Sequence, residues 1–177
     1  THGASVHLVP LTTEYQFGTA VNYDWVAPTA GTQAATPDGI RYKSIIPQLF
    51  TRVTDENSQQ WRSWLIDPDR STEVLAWALA NELRLRGHSI LWGELDGYPT
   101  PDSVIATYND KLANEGAAAA ETYLEAEILA FIASGPAATF AGNQAGSGEP
   151  QISEWDVLNH PTLVTDMWDV TGQDFLL

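Results

Sequence analysis

The sequence predicts an α/β fold in which four short parallel strands alternate with helices. Three observations carry this. Apolar runs of strand length recur near residues 15–22, 52–54, 88–92 and 152–158, each bounded by polar or glycine-bearing turns. Helical periodicity fills the intervals, and strands alternating with helices form right-handed βαβ units on a parallel sheet. The last run breaks at Asn159-His160-Pro161, and the carboxyl end of such a strand is where an α/β barrel places its working side chains. At 177 residues the chain suits one domain. It falls short of the about 250 residues of a whole eight-stranded barrel.

Composition narrows the function classes. Hydrophobic residues make up 44% of the chain and include seven Trp, enough for a substantial core. Only 8 Lys and Arg face 23 acidic residues, for a net charge of −15, and every cation lies between Arg41 and Lys111. Such a field repels nucleic acid and anionic membrane, so neither is expected as a partner. It fits a solvated acidic surface on a secreted or cell-surface protein, or adaptation to a salt-rich medium. The absence of Cys excludes a disulfide framework and a thiolate metal site. No run of about 18 apolar residues reads as a membrane span. Lacking an initiator Met, the chain is expected to be a fragment of a longer protein.

In order, residues 4–11 alternate loosely and read as a strand closed by Pro10, with His7 a solvated strand residue. Residues 15–22 give the first strand of the main sheet, and residues 27–38, rich in Ala, Thr, Gly and Pro, a loop. Residues 39–50 place Ile40, Ile45, Ile46 and Leu49 near helical spacing despite Pro47. The second strand, 52–54, runs into Asp55-Glu56-Asn57-Ser58-Gln59-Gln60-Trp61. Asp69 or Ser71 is expected to cap a helix reaching about Arg86, with Val74, Leu75, Ala78, Leu79 and Leu83 as its buried stripe and Gly87 as its stop. Residues 88–92 form the third strand. Two helices follow at 102–114 and 117–134, the second burying Leu124, Ile128, Phe131 and Ile132, with Glu121 and Glu125 outward. A loop over 135–150 leads to the fourth strand. Thr165 is expected to cap a last helix carrying Met167, Trp168, Val170 and Phe175.

Trp155-Asp156-Val157-Leu158-Asn159-His160-Pro161 resembles the Trp-Asp-Val-x-Asn-Glu-Pro motif of glycoside hydrolase family 10, the endo-β-1,4-xylanases. Phe17 to Asn22, Glu56-Asn57 with Trp61, and Arg86-Gly87-His88 with Trp92 resemble further motifs of that family, in the same order. The resemblance implies a partial TIM (β/α)8 barrel covering strands one to four, over residues 15–177. It is preceded by a short β stub, residues 1–14, the tail of another β module. It further implies that Glu56, Asn57, Gln60, His88, Trp92 and Asn159 bind sugar. Gln60 stands where the family has Lys, and Gly93 and Leu95 replace two of the family's polar groups. A carboxylate and amide beside the Trp61 ring would suit a pyranose, whose hydroxyls need donors and acceptors while its C–H face stacks.

The chemistry turns on His160, which occupies the position of the family's general acid/base. Retaining hydrolysis needs two carboxyl groups about 5–5.5 Å apart. The resemblance puts the nucleophile on a seventh strand beyond this chain, so no intact catalytic residue is expected. An imidazole can donate a proton, but its reach and charge differ from those of a carboxylic acid. The plainer expectation for His160 is a neutral ring filling the lost carboxyl's space and hydrogen-bonded to a backbone or amide group. A metal site joining His160, His88 and Glu56 would need at least three ligands at about 2.0–2.1 Å; with four His in the chain, two of them in the stub, we assign no metal and no cofactor. Three functions fit: a xylan-binding domain without catalysis, half of an unusual glycosidase completed by a second chain or the rest of the barrel, and a structural protein borrowing the fold. A structural protein would cover Trp61 and Trp92. The open half-barrel is also expected to expose an apolar interior, which would favour a partner.

Overall fold

The computed structural model describes residues 16–27, 33–95, 97–142 and 151–172. The expected N-terminal stub with His7, and Phe175 of the last helix, lie outside the described residues. Four strands, β1 (Gly18–Val21), β2 (Arg52–Asp55), β3 (Arg84–Trp92) and β4 (Trp155–Asn159), form one sheet in the order β1-β2-β3-β4. Every pairing is parallel, with Val21 beside Asp55, Thr54 beside Arg86 and Trp92 beside Asn159. All four carboxyl ends therefore share one face, and the sheet is the partial barrel that the sequence predicts.

Helices cover one side. They are α1 (Tyr23–Val26), α2 (Pro37–Leu49), α3 (Trp61–Ile66), α4 (Asp69–Ala80), α5 (Asp102–Asn114), α6 (Ala117–Ser134), α7 (Pro136–Phe140) and α8 (Asp166–Thr171). Two apolar clusters hold them to the sheet. Val21, Val53, Val74, Leu75, Ala78, Leu83 and Leu85 join α4 to the first three strands. Trp61, Leu91, Val104, Leu124, Ile128, Phe131 and Met167 seat α5, α6 and α8 behind β3.

Several expectations are corrected. Helix α4 stops at Ala80, not near Arg86, and its N-cap is Pro68; Ser71 is buried, its Oγ 3.2 Å from Ser58 Oγ. The residues assigned to its last turn belong instead to β3, where Leu85 and Gly87 face the helices while Arg86 and His88 face the opposite side. The strand begins at Arg84 rather than at His88, and the sequence hides this start because Leu79 and Leu83 fit both a helical and a strand period. Gly87 thus lies inside a strand. A Cβ there would enter the Trp155 indole, so glycine lets that ring lie flat on β3. In α2 only Ile46 of the four expected apolar residues is buried, and Ile40 and Leu49 are 59% exposed. In α6 the buried stripe is Ala120, Leu124, Ile128 and Phe131, and Ile132, expected inward, is 39% exposed. The segment read as loop from residue 135 contains α7, whose Phe140 is buried against the core. β4 begins at Trp155; Ile152 is buried but precedes the strand.

Candidate functional site

The inner face of the sheet lines an open cleft of about 600 Å³, bounded by Gly18, Ala20, Arg52, Thr54, Glu56, Arg86, His88, Glu154 and Asp156. The apolar interior expected of a half-barrel is absent there. Small residues on β1 leave room, and charged residues on β2, β3 and β4 point into it. Burying such groups would be costly unless each is paired. They are paired in two tiers along the strands.

At the amino-terminal end, Arg52 makes a bidentate contact with Glu154, with Nη2 3.0 Å from Oε1. This pair reaches from β2 to the approach of β4, over β3. The guanidinium, hydrogen-bonded to it, holds the Glu154 carboxyl below the usual carboxylate range. One tier higher, the Asp156 carboxylate accepts from Arg86 and stands 3.0 Å from His88 Nδ1. The backbone N–H of His88 donates to Gln59 Oε1 at 2.8 Å. The His88–Ser89 peptide is cis.

At the carboxyl ends the structure gathers most of the expected residues. Glu56 follows β2, is exposed, and accepts from Asn22 Nδ2 at 3.0 Å. Asn22 also caps α1, its side chain accepting from Asp24 N. Asn57 is exposed beside Glu56. Trp92 and Asn159 are register partners at the rim, both half-buried. His160 is exposed, has a backbone φ of +51°, and sets its ring 5.1 Å from that of Trp92. No side-chain hydrogen bond holds the His160 imidazole among the described residues, so the expected bond to a backbone or amide group is replaced by contact with the indole. No group of three His, Asp or Glu among the described residues is arranged to hold a metal.

Two residues leave the cleft. Gln60, expected at the sugar, is 1% exposed; its Nε2 donates to Glu56 O at 3.2 Å, and it shapes the loop from within. Trp61, expected as a stacking ring, is 5% exposed and stacks on Phe131 at 5.2 Å. The loop turns these side chains inward because Asp55 anchors it. That buried carboxylate accepts from Ser58 N at 3.1 Å, from Asn57 N and from Ser58 Oγ, and burial raises its pKa against those bonds.

Arg52, Arg86, Glu154 and Asp156 were not expected as site residues. A signal existed: Arg52 and Arg86 lie in strands of a chain with only eight cations, and a cation inside a strand run requires a carboxylate opposite.

No protein-family model matches the sequence, and no curated protein matches it either. Solved structures match its fold. A GH10 endoxylanase retrieved from a sugarcane soil metagenome aligns with a TM-score of 0.62 at 17% identity, over 92% of this chain and 43% of that one. A mutant of an intracellular xylanase from Thermoanaerobacterium saccharolyticum, in complex with xylotriose, aligns at 0.50 and 16% identity, over 92% and 47% of the two chains. A mutant xylanase from Cellvibrio japonicus, in complex with xylopentaose, aligns at 0.50 and 18%, over 90% and 30%. The chain spans less than half the length of each, and what it shares with them is the fold of part of a GH10 barrel.

Proposed function

We propose that this chain is the N-terminal half of a glycoside hydrolase family 10-like barrel that binds a neutral, xylan-like β-1,4-glycan and, as this chain, does not cleave it. One observation carries the reading: Glu56 and His88 line one cleft on the inner face of the sheet, and Trp92 and Asn159 pair at the carboxyl ends of β3 and β4. Carboxylate, amides, imidazole and indole together supply the donors, acceptors and apolar face that a sugar ring needs. Xylotriose and xylopentaose in the complexes of similar fold support the choice of glycan. The cleft's cations are already bonded to Glu154 and Asp156, so it holds no free positive charge for an anionic polymer. Gln60 acts by shaping the loop that presents Glu56 and Asn57. We place the protein outside the cell or at its surface, where such polymers occur.

A second reading has its own support. β1 and β4 each keep an unpaired edge among the described residues, and the matched barrels extend over more than twice this chain's span. The remainder of the barrel, from the same protein or a second chain, would pair with those edges and supply a nucleophile. Titration calorimetry of the 177-residue chain with xylohexaose, with polygalacturonate as an anionic control, tests the first reading. Heat of binding with xylohexaose alone is expected; no binding of xylohexaose overturns it.

A further inference from the structure

We propose that His160 and Trp92 form a fixed aromatic corner that grips one sugar ring, so that the position the resemblance gives to a proton donor serves glycan retention instead. This rests on the glycan-binding reading and assigns it a residue which that reading does not require.

The turn that carries His160 is built to hold still. Its carbonyl accepts from Leu163 N at 3.0 Å and Val164 N at 3.1 Å. Trp168 Nε1 donates to Val164 O at 2.9 Å, and Met167 N to Gly93 O at 3.0 Å. Asp166 Oδ2 accepts from Leu95 N at 3.1 Å. A Cβ on Gly93 would stand 2.8 Å from Val164 O, so the residue after Trp92 is glycine where the turn comes down onto it. These contacts tie the end of β3 to the segment after β4 and fix where His160 begins.

His160 itself adopts left-handed backbone, φ +51°, a conformation uncommon for a residue with a side chain. The result puts an exposed imidazole against an indole at 5.1 Å and 54°. Trp92 Nε1 is buried without a partner among the described residues, so the indole offers its ring surface rather than its N–H. Both imidazole nitrogens are free of side-chain bonds within the described residues. A neutral imidazole presents one donor and one acceptor, whereas a carboxylate presents acceptors only. Sugar hydroxyls both donate and accept, and a sugar's C–H face packs on aromatic rings. A corner of indole and imidazole on a rigid turn meets both needs with little ordering cost on binding.

The test is xylohexaose titration into the wild-type chain, His160→Ala and His160→Phe, with melting curves to show that each is folded. His160→Ala is expected to weaken binding at least about fivefold, and His160→Phe less, because the ring contact survives. Wild-type binding with unchanged affinity in His160→Ala overturns this inference and leaves the glycan-binding reading standing. No binding by the wild type overturns both. A measurement free of folding effects is the NMR signal of the His160 ring in the wild type, which must move as xylohexaose saturates; a stationary signal in a saturated sample also overturns the inference.

Discussion

His88 Nδ1 stands 3.0 Å from Asp156 Oδ2, and the same carboxylate holds the Arg86 guanidinium through Oδ1. The arrangement fixes the ring. Donation from Nδ1–H to a carboxylate leaves Nε2 as an acceptor in the neutral imidazole. A sugar hydroxyl at the cleft can then donate to His88 while accepting elsewhere. On the proposed glycan-binding reading, Asp156 acts through His88 as a positioning residue. Asp156→Ala is expected to weaken xylohexaose binding about as much as His88→Ala, and the double variant no more than the larger single loss, since partners in one network are not additive. Titration of the three variants checks this, and additive losses would show that Asp156 acts separately.

Gly87 offers a packing test. A methyl group at that position meets the Trp155 indole, which is itself packed against the core and cannot retreat far. Overpacking of this kind costs about 1–3 kcal/mol. Gly87→Ala should therefore lower the denaturation midpoint without changing the net charge, and pairing it with Trp155→Leu should recover part of the loss. An unchanged midpoint in Gly87→Ala would mean that the indole does not lie on the strand.

Asp55 makes a prediction about pH. Burial is the main cause of its raised pKa, only partly offset by hydrogen bonds from Ser58 and Asn57. The folded state therefore binds the proton more tightly than the unfolded chain. The stability that this contributes is present below the ordinary Asp range and is lost as pH rises through the raised value. Asp55→Asn keeps an amide oxygen for Ser58 N and an amide donor for Ser58 Oγ. Relative to wild type it should be more stable near neutral pH than in acid, with the difference growing as pH rises out of the acid range. Melting curves of both proteins across that range decide the matter. A difference that shrinks with rising pH would refute the assignment.

The sequence shows the sheet better than the site. Alternating strands and helices, and the exact ends of α5 and α6, were legible because Asp102 to Asn114 and Ala117 to Ser134 are bounded by Pro101, Gly116 and Gly135, which punctuate the chain locally. The end of α4 was not legible, because Leu79 and Leu83 satisfy a helical stripe while Leu83 and Leu85 also satisfy a strand. Only the strand pairing of Arg84 with Arg52 settles it. Of the motif positions, Glu56, Trp92 and Asn159 fall at strand ends, whereas His88 falls inside β3 and faces the cleft. The inward turn of Gln60 and Trp61 was hidden, because it depends on Asp55 being buried and on the packing of Trp61 against Phe131 of α6. The two ion-pair tiers were hidden as well, for Arg52 and Glu154 are 102 residues apart.

That long-range pair has a measurable effect. Glu154 is half exposed and Arg52 largely covered, so the contact is screened on one side only. Its carboxyl is held below the usual range, so the stability it contributes is present above the ordinary Glu value and lost as pH falls through the lowered one. Glu154→Gln should cost about 1 kcal/mol or less near neutral pH, in keeping with partly exposed ion pairs. The loss should shrink in acid and at high salt. A loss that persists at low pH would point to packing rather than charge.

The last prediction concerns turnover. Hydrolysis with retention needs an acid/base and a nucleophile about 5–5.5 Å apart. The resemblance gives His160 the position of the first, and its ring lies on Trp92 rather than on a carboxylate partner. Among the described residues no carboxylate of the cleft is free to replace it: Glu154 is bonded to Arg52, Asp156 to Arg86 and His88, and Glu56 to Asn22. The 177-residue chain should release no reducing sugar from xylan and no phenol from an aryl xyloside above a buffer control. His160→Glu alone should not change this, because an acid without a nucleophile completes neither step. Adding a chain that carries the other half of a barrel should leave the wild type inactive and give activity only with His160→Glu. Activity of the wild-type chain with that second half would show instead that imidazole serves as the acid here.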